Sequence, residues 1–340
     1  MQKVTGCTEP ASISFAFSRA SCILKDKIGV KEFSDSLKAK VFLSRDVYRN
    51  ASTVKIPFLR LKGIKPSVAW GICHSSISLN IFTSAGLKEK KKILKLIKKP
   101  GWLKIIPLQR SGLYIKAELK EKNNDVRLII EDKHDSIKKI IMNNRIIFLR
   151  KKEKRILIKD LSEIDKIVKK NNVRLKRIAR EFIMEQGKRW EQYGFKNAPE
   201  AVEKLVLKRM EGEEVPIITI TGSGNQGILL ALPFYELYKK VGNKILPAAL
   251  FSILTQIYLT QKEGRISHLC GLANKTAPAL IAGLSYYKGN NLKKIKNSMS
   301  LVKETLKGWL CKGANKNCAL KAFVSLTTVF KIILKESTLA

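Results

Sequence analysis

Three cysteines near the C-terminal end, Cys270, Cys311 and Cys318, have the most chemistry to offer. A thiolate trio can hold an iron–sulfur cluster while leaving one iron open, and an open iron acts as a Lewis acid rather than an electron carrier. Between Cys311 and Cys318 runs Lys312-Gly313-Ala314-Asn315-Lys316-Asn317, a segment suited to a turn whose amides donate to cluster sulfurs. Spacing this loose equally suits zinc or three ordinary buried cysteines. His268, two residues before Cys270, reads as a fourth ligand, a hydrogen-bonding neighbour or neither, and receives no role. Cys22 and Cys73 lack matching ligands nearby and read as structural.

Two further segments could serve a reaction. Gly6-Cys7-Thr8-Glu9-Pro10 sets a thiol just before a predicted helix, with Thr8 as its cap and Ile13, Ala16, Phe17, Ala20 and Leu24 on one face. Gly222-Ser223-Gly224-Asn225-Gln226-Gly227 satisfies the G-x-G-x-x-G dinucleotide fingerprint and follows a strand-like run. That fingerprint also needs a second strand ending in an acidic residue, and the next apolar segment, Ile245 to Leu259, is helical in length, so a nicotinamide site is rejected. What survives is local physics: backbone amides converging at a helix N-terminus favour a carboxylate or phosphate, and Ser223, Asn225 and Gln226 add donors. A purely structural glycine turn is the plain alternative.

These residues need elements to hold them. Leu37, Ala39, Val41 and Leu43 alternate as a half-buried strand does, the pattern resumes near Val54 and Ile56, and helical spacing returns between Ser67 and Lys99. From Leu103 to Arg150 the chain reads as an antiparallel sheet, with a turn at Asn123-Asn124 and a hairpin at Asn143-Asn144. Leu161, Ile164, Val168, Leu175, Ile178 and Phe182 then form a helical seam interrupted at Asn171, read as packing inside this protein rather than on a coiled-coil partner. From Pro199 onward the pattern is helical, apart from Val215 to Ile220. The expected fold is α+β, with an N-terminal part over 1–155 built from a mainly antiparallel sheet and helices. An all-helical cluster-binding part over 156–340 carries the glycine loop and the three cysteines.

The chain has 340 residues, 45% of them hydrophobic, which is enough for real cores. Six cysteines are too few for a disulfide framework and suit a reducing compartment, so a cytoplasmic location is expected. Ala11 to Phe17 lacks the charged flank of a signal peptide, and Ile245 to Leu259 falls short of the roughly 20 residues a bilayer needs, so no membrane partner is expected. The net charge of +38 tempts a nucleic-acid reading. Its lysines cluster over 87–100 and 150–159 without interleaved aromatic residues, and a solvated basic surface is favoured over RNA binding.

Taken together these segments resemble the L-cysteine desulfidase family, relatives of the iron–sulfur L-serine dehydratase α chain. The likeness covers most of the chain and rests on Gly6 to Pro10, Arg209-Met210 with Gly212 and Pro216, Gly222 to Ile228, Ser267 with Leu269-Cys270, and Cys311 to Lys321. The resemblance implies that Cys270, Cys311 and Cys318 bind a 4Fe-4S cluster and that Cys7 is the base taking the substrate's α-proton. It implies a lyase of cysteine catabolism that converts L-cysteine to sulfide, pyruvate and ammonia. The helix terminus behind Cys7 is expected to favour its thiolate, and Ser223, Asn225 and Gln226 to hold the substrate carboxylate. His134 lies in a segment like one in the family and has no assigned role.

The chain departs from the family at Pro57 to Gly63, where a loop rich in glycine is usual, and at Leu207 and Lys312, where acidic residues are usual. Both ends look shortened relative to the family. An iron–sulfur serine dehydratase, an inactive truncated homologue and a basic RNA-binding protein are the alternatives to the desulfidase. A small amino-acid substrate and a homo-oligomeric state complete the expectation.

Overall fold

A computed structural model describes residues 1–83, 86–151 and 157–338. The boundary expected between 155 and 156, and half of the lysine cluster over 150–159, lie outside the described residues. The chain opens with β1 (Gln2–Thr5), α1 (Thr8–Ile28), β2 (Lys38–Ser44), α2 (Arg45–Thr53), α3 (Ile64–Cys73) and α4 (Leu87–Lys98). The strands β3 (Leu103–Leu108), β4 (Tyr114–Glu121), β5 (Asn124–Glu131), β6 (Ile137–Met142) and β7 (Arg145–Leu149) follow. After them come α5 (Leu161–Lys169), α6 (Val173–Tyr193), α7 (Ala198–Met210), β8 (Pro216–Thr219), α8 (Gly224–Val241) and α9 (Leu246–Glu263). A π-helical turn (Leu272–Thr276), α10 (Ala277–Tyr287), α11 (Leu292–Thr305) and α12 (Asn317–Thr338) complete the α+β architecture.

The larger sheet has the order β3-β2-β4-β5-β6-β7, antiparallel except for the parallel pair β2–β3. Alternation explains its inner face: Val41 pairs with Ala117, Ala117 with Leu128, and Leu119 with Val126, all wholly buried. The β6–β7 turn is Asn143-Asn144 with both φ values positive, as a two-residue type I′ turn requires. The β4–β5 turn lies one residue earlier than expected, at Lys122-Asn123, because Asn124 already pairs with Glu121. Near Val54 and Ile56 the expected strand is only an isolated bridge between Lys55 and Lys62.

Helix α1 packs between the sheet and α3 and is buried on most sides. Its apolar residues Ile13, Ala16, Phe17, Ala20 and Leu24 meet the core as their spacing predicts. Its serines resolve the remaining burial: Ser14 donates to the Ser67 carbonyl at 2.7 Å, Ser21 to that of Ile72 at 3.1 Å, and Ser12 to that of His134. The helix starts one residue earlier than expected, with Cys7 rather than Thr8 at the cap position.

The helical seam breaks in the expected place, since Asn171 has φ of 53° and Asn172 caps α6 through the Leu175 amide. The run from Ile245 to Leu259 is the body of α9 and is largely buried. Among the described residues one stretch, Asn317–Lys335 in α12, is long and apolar enough to cross a membrane, and 33% of it is buried. A small second sheet pairs β1 with β8, which ties the start of the chain to the segment before the glycine loop.

A Cβ placed on Gly71 of α3 would stand 2.2 Å from the Ser14 carbonyl oxygen, so α1 and α3 cross at a distance only glycine allows. Gly71→Val is therefore expected to lower the unfolding free energy by about 3 kcal/mol in urea titration. An unchanged midpoint would show that the helices do not meet this closely.

Candidate active site

Local hydrogen bonding first sets two of the cysteines diagonally across one short strand pair. Leu269 and Leu310 form an isolated antiparallel bridge, in which the Cys270 amide donates to the Trp309 carbonyl at 2.8 Å and the Cys311 amide to that of His268 at 2.7 Å. Cys318 follows in the first turn of α12, its amide donating to the Asn315 carbonyl at 3.0 Å. The intervening loop passes Gly313, with φ of 95°, where a Cβ would meet the Arg49 carbonyl oxygen at 2.7 Å. Helix α2 holds both cysteine segments: Thr53 donates to the Ala314 carbonyl after Cys311, and Arg49 to that of Ser267 before Cys270.

Cys7, Glu9, Asn50, Arg209, Ser223, Asn225, Gln226 and all three C-terminal cysteines line one cavity of about 100 Å³. Every residue predicted as a site residue is therefore in one place. The side chain of His268 is exposed and only its carbonyl takes part. Cys73 and Cys22 lie away from this cavity, and Cys22 contacts Ser75 at 3.4 Å.

The expectation for the Cys7 thiol is overturned. Burial and then the neighbouring Glu9 carboxylate push it well above its ordinary range, and these effects outweigh both the helix terminus and the pull of Arg209. Its Sγ donates to Glu9 Oε2 at 3.0 Å. Burial also acts to raise Glu9, but His134, Cys7 and Asn50 together hold its carboxyl down at about 2. His134 Nε2 stands 3.7 Å from Glu9 Oε1, and Asn50 Nδ2 donates to the same oxygen at 3.1 Å. His134 is itself buried against the glycine loop, where a Cβ on Gly222 would lie 2.6 Å from Nδ1. Asn50 Oδ1 in turn accepts from the Cys311 thiol at 3.6 Å, linking the Cys7 side of the cavity to the other thiols.

The glycine loop brings its three polar residues in by different means. Ser223 is the cap residue of α8, Asn225 accepts from Arg209, and Gln226 accepts from Gln256 at 2.6 Å. Gly271 makes room for the Gln226 amide, which a Cβ there would approach to 2.1 Å. The π-helical turn after Cys270 carries Lys275, buried with its ammonium on the carbonyls of Gly264 and Arg265. The loop at Pro57 to Gly63 has positive φ at Gly63 and also at two residues that are not glycine, Phe58 and Arg60, and Pro57 presses on Gly6.

The donor set fits a thiolate-bound cluster. Burial raises the Cys311 thiol and takes Cys318 to about 11, with Cys270 and Cys311 adding to the effect on Cys318, so these two thiols resist ionisation unless a cation compensates them. Among the described residues no three His, Cys, Asp or Glu side chains close on a single metal ion. The thiols line the walls of the cavity instead, an arrangement suited to a multi-atom group. Sequence reasoning left Glu9, Asn50, Arg209 and Lys275 without roles. Glu9 lies in the Gly6 to Pro10 motif and Arg209 in Arg209-Met210, whereas nothing in sequence singles out Asn50 or Lys275.

Comparison with known proteins finds the serine dehydratase alpha chain family matching residues 79–334. A UPF0597 protein of Thermosipho africanus is 31% identical over 96% of this chain and 84% of its own length. One from Fervidobacterium nodosum is 29% identical over 98% of this chain and 84% of its own length. One from Clostridium botulinum is 27% identical over 96% and 83%.

The state of Glu9 makes a prediction. Its folded pKa of about 2 lies below the ordinary 4.5, so its contribution to stability, on the order of 3 kcal/mol, is complete above pH 4.5 and lost as pH falls through about 2. Glu9→Gln is expected to be less stable than the parent near neutral pH, with the gap closing in acid. A gap independent of pH would show that the carboxylate is not held ionised by its neighbours.

Proposed function

The chain belongs to the serine dehydratase alpha chain family, and on that premise we propose that it is an iron–sulfur lyase that breaks L-cysteine into sulfide, pyruvate and ammonia. The observation that carries this reading is the convergence of Cys270, Cys311, Cys318 and Cys7 on one cavity. In it, Cys270, Cys311 and Cys318 would hold a 4Fe-4S cluster. When bound, that cluster supplies an open Lewis-acid site for the charge that develops on the departing sulfur.

Cys7 takes the α-proton. Its thiol is held on Glu9, which His134 and Asn50 orient, so Glu9 positions the sulfur, and the thiol proton leaves to water as Cys7 becomes the base. The arriving α-ammonium brings positive charge beside this pair and favours the thiolate, which a buried thiol next to a carboxylate otherwise resists. Loss of the Cα proton and cleavage of the Cβ–S bond leave aminoacrylate, which water hydrolyses to pyruvate and ammonia. The burial of the cavity keeps bulk water from quenching the base. Six free thiols suit a reducing, cytoplasmic setting.

Serine dehydration is the second reading, favoured by the description of the matching family. It uses the same site and differs in leaving group, water in place of sulfide.

Anaerobic reconstitution is expected to give brown protein with about four irons per chain that releases sulfide from L-cysteine. Cys270→Ala, Cys311→Ala and Cys318→Ala each lose iron, whereas Cys7→Ser keeps it and slows turnover by about 10²- to 10⁴-fold. Pyruvate from L-serine with no sulfide from L-cysteine would select the dehydratase, and protein that takes up no iron would remove both readings.

A further inference from the structure

We infer that the buried guanidinium of Arg209 is the carboxylate-binding group of this cavity and that Asn225 is its positioning residue. The inference deepens the lyase reading and rests on it for the identity of the ligand, the carboxylate of a small α-amino acid.

Arg209 ends α7 and is 1% exposed, among the largest fully buried side chains of the molecule. An arginine carries five N–H donors. Here Nη2 donates to the Gly6 carbonyl and Nη1 to Asn225 Oδ1, both neutral acceptors, while the buried Nε has no partner. Among the described residues no carboxylate forms an ion pair with it. Glu9 is close enough to act on Arg209 electrostatically, yet its oxygens are taken by Cys7, Asn50 and His134. With the one nearby carboxylate already engaged, the buried guanidinium keeps an unspent donor, and that is the pattern of a group kept for an anion that arrives from outside.

The surroundings agree with an anion as ligand. Arg209 lines the cavity together with the first turn of α8, whose leading amides have no acceptor within the helix. The first residue of that helix is Gly224, and a Cβ there would lie 2.2 Å from Nη2, so glycine is what lets the guanidinium reach the helix end. A planar fork beside free amides suits a carboxylate. The acceptor oxygen of Asn225 is spent on Arg209 and its Nδ2 donates to Met210 Sδ at 3.5 Å, which reassigns this residue from binding substrate to aiming the group that does.

The test compares L-alanine with ethylamine, an unreactive pair differing by the carboxylate, by calorimetric titration of the anaerobically reconstituted protein. Wild type is expected to bind L-alanine roughly 10- to 100-fold more tightly. Arg209→Gln abolishes that preference while retaining iron, Arg209→Lys recovers part of it, and Asn225→Ala weakens it with the guanidinium still present. Should Arg209→Gln fail to fold, the wild-type pair and Asn225→Ala decide the matter. Equal affinities in wild type overturn the inference, as does an intact preference in Arg209→Gln accompanied by loss of iron, which would make the guanidinium the counter-charge of the thiolates. Sulfide release by wild type is read separately. A carboxylate preference without sulfide release leaves the site and removes the reaction, and sulfide release without the preference does the reverse.

Discussion

One buried guanidinium joins the two ends of the active-site sequence. Arg209 reaches the carbonyl of Gly6, immediately before α1, and the amide oxygen of Asn225, in the first turn of α8. The β1–β8 ladder brings these segments near each other, and Arg209 then fixes how they face. The residues around it are arranged to allow a charge in that position. Gly224 has no side chain, Glu9 is ionised nearby, and the carbonyl of Gly6 is turned inward by a glycine with φ of 73°.

The same economy of charge explains the rest of the cavity. Thiols buried near one another are costly to ionise, and Cys7 is costlier still beside Glu9. The protein surrounds them with cationic side chains, Arg209 and Lys275 buried in the wall and Arg49 behind the cysteine loop. Such a site is poorly satisfied by its own residues alone, and its balance is completed by what binds there. The net charge of +38 plays no visible part in this, because the cations that matter are a few buried ones.

Much of the fold could be read along the chain because it depends on short-range rules. The hairpin at Asn143-Asn144 follows from residues that tolerate positive φ, and the strands β4 and β5 follow from strict alternation. The break at Asn171 was equally visible. Helix α2 was not, since its nine residues are mostly polar and bury only Asp46, Val47, Asn50 and Ala51. It is held by residues far away in sequence, among them Ser267 through Arg49 and Ala314 through Thr53.

By itself the sequence determined the chemistry on offer: thiols, a glycine loop ahead of a helix, and the order in which they occur. It also determined most of the elements, because side-chain period and turn chemistry act between near neighbours. Only the tertiary structure decided that the Cys7 thiol rests on Glu9, that Asn225 meets Arg209, and that His134 stands behind the carboxylate. Those are matters of burial and of distances between segments remote in sequence. Electrostatic energy in a low-dielectric interior depends on such distances, and local pattern does not encode them.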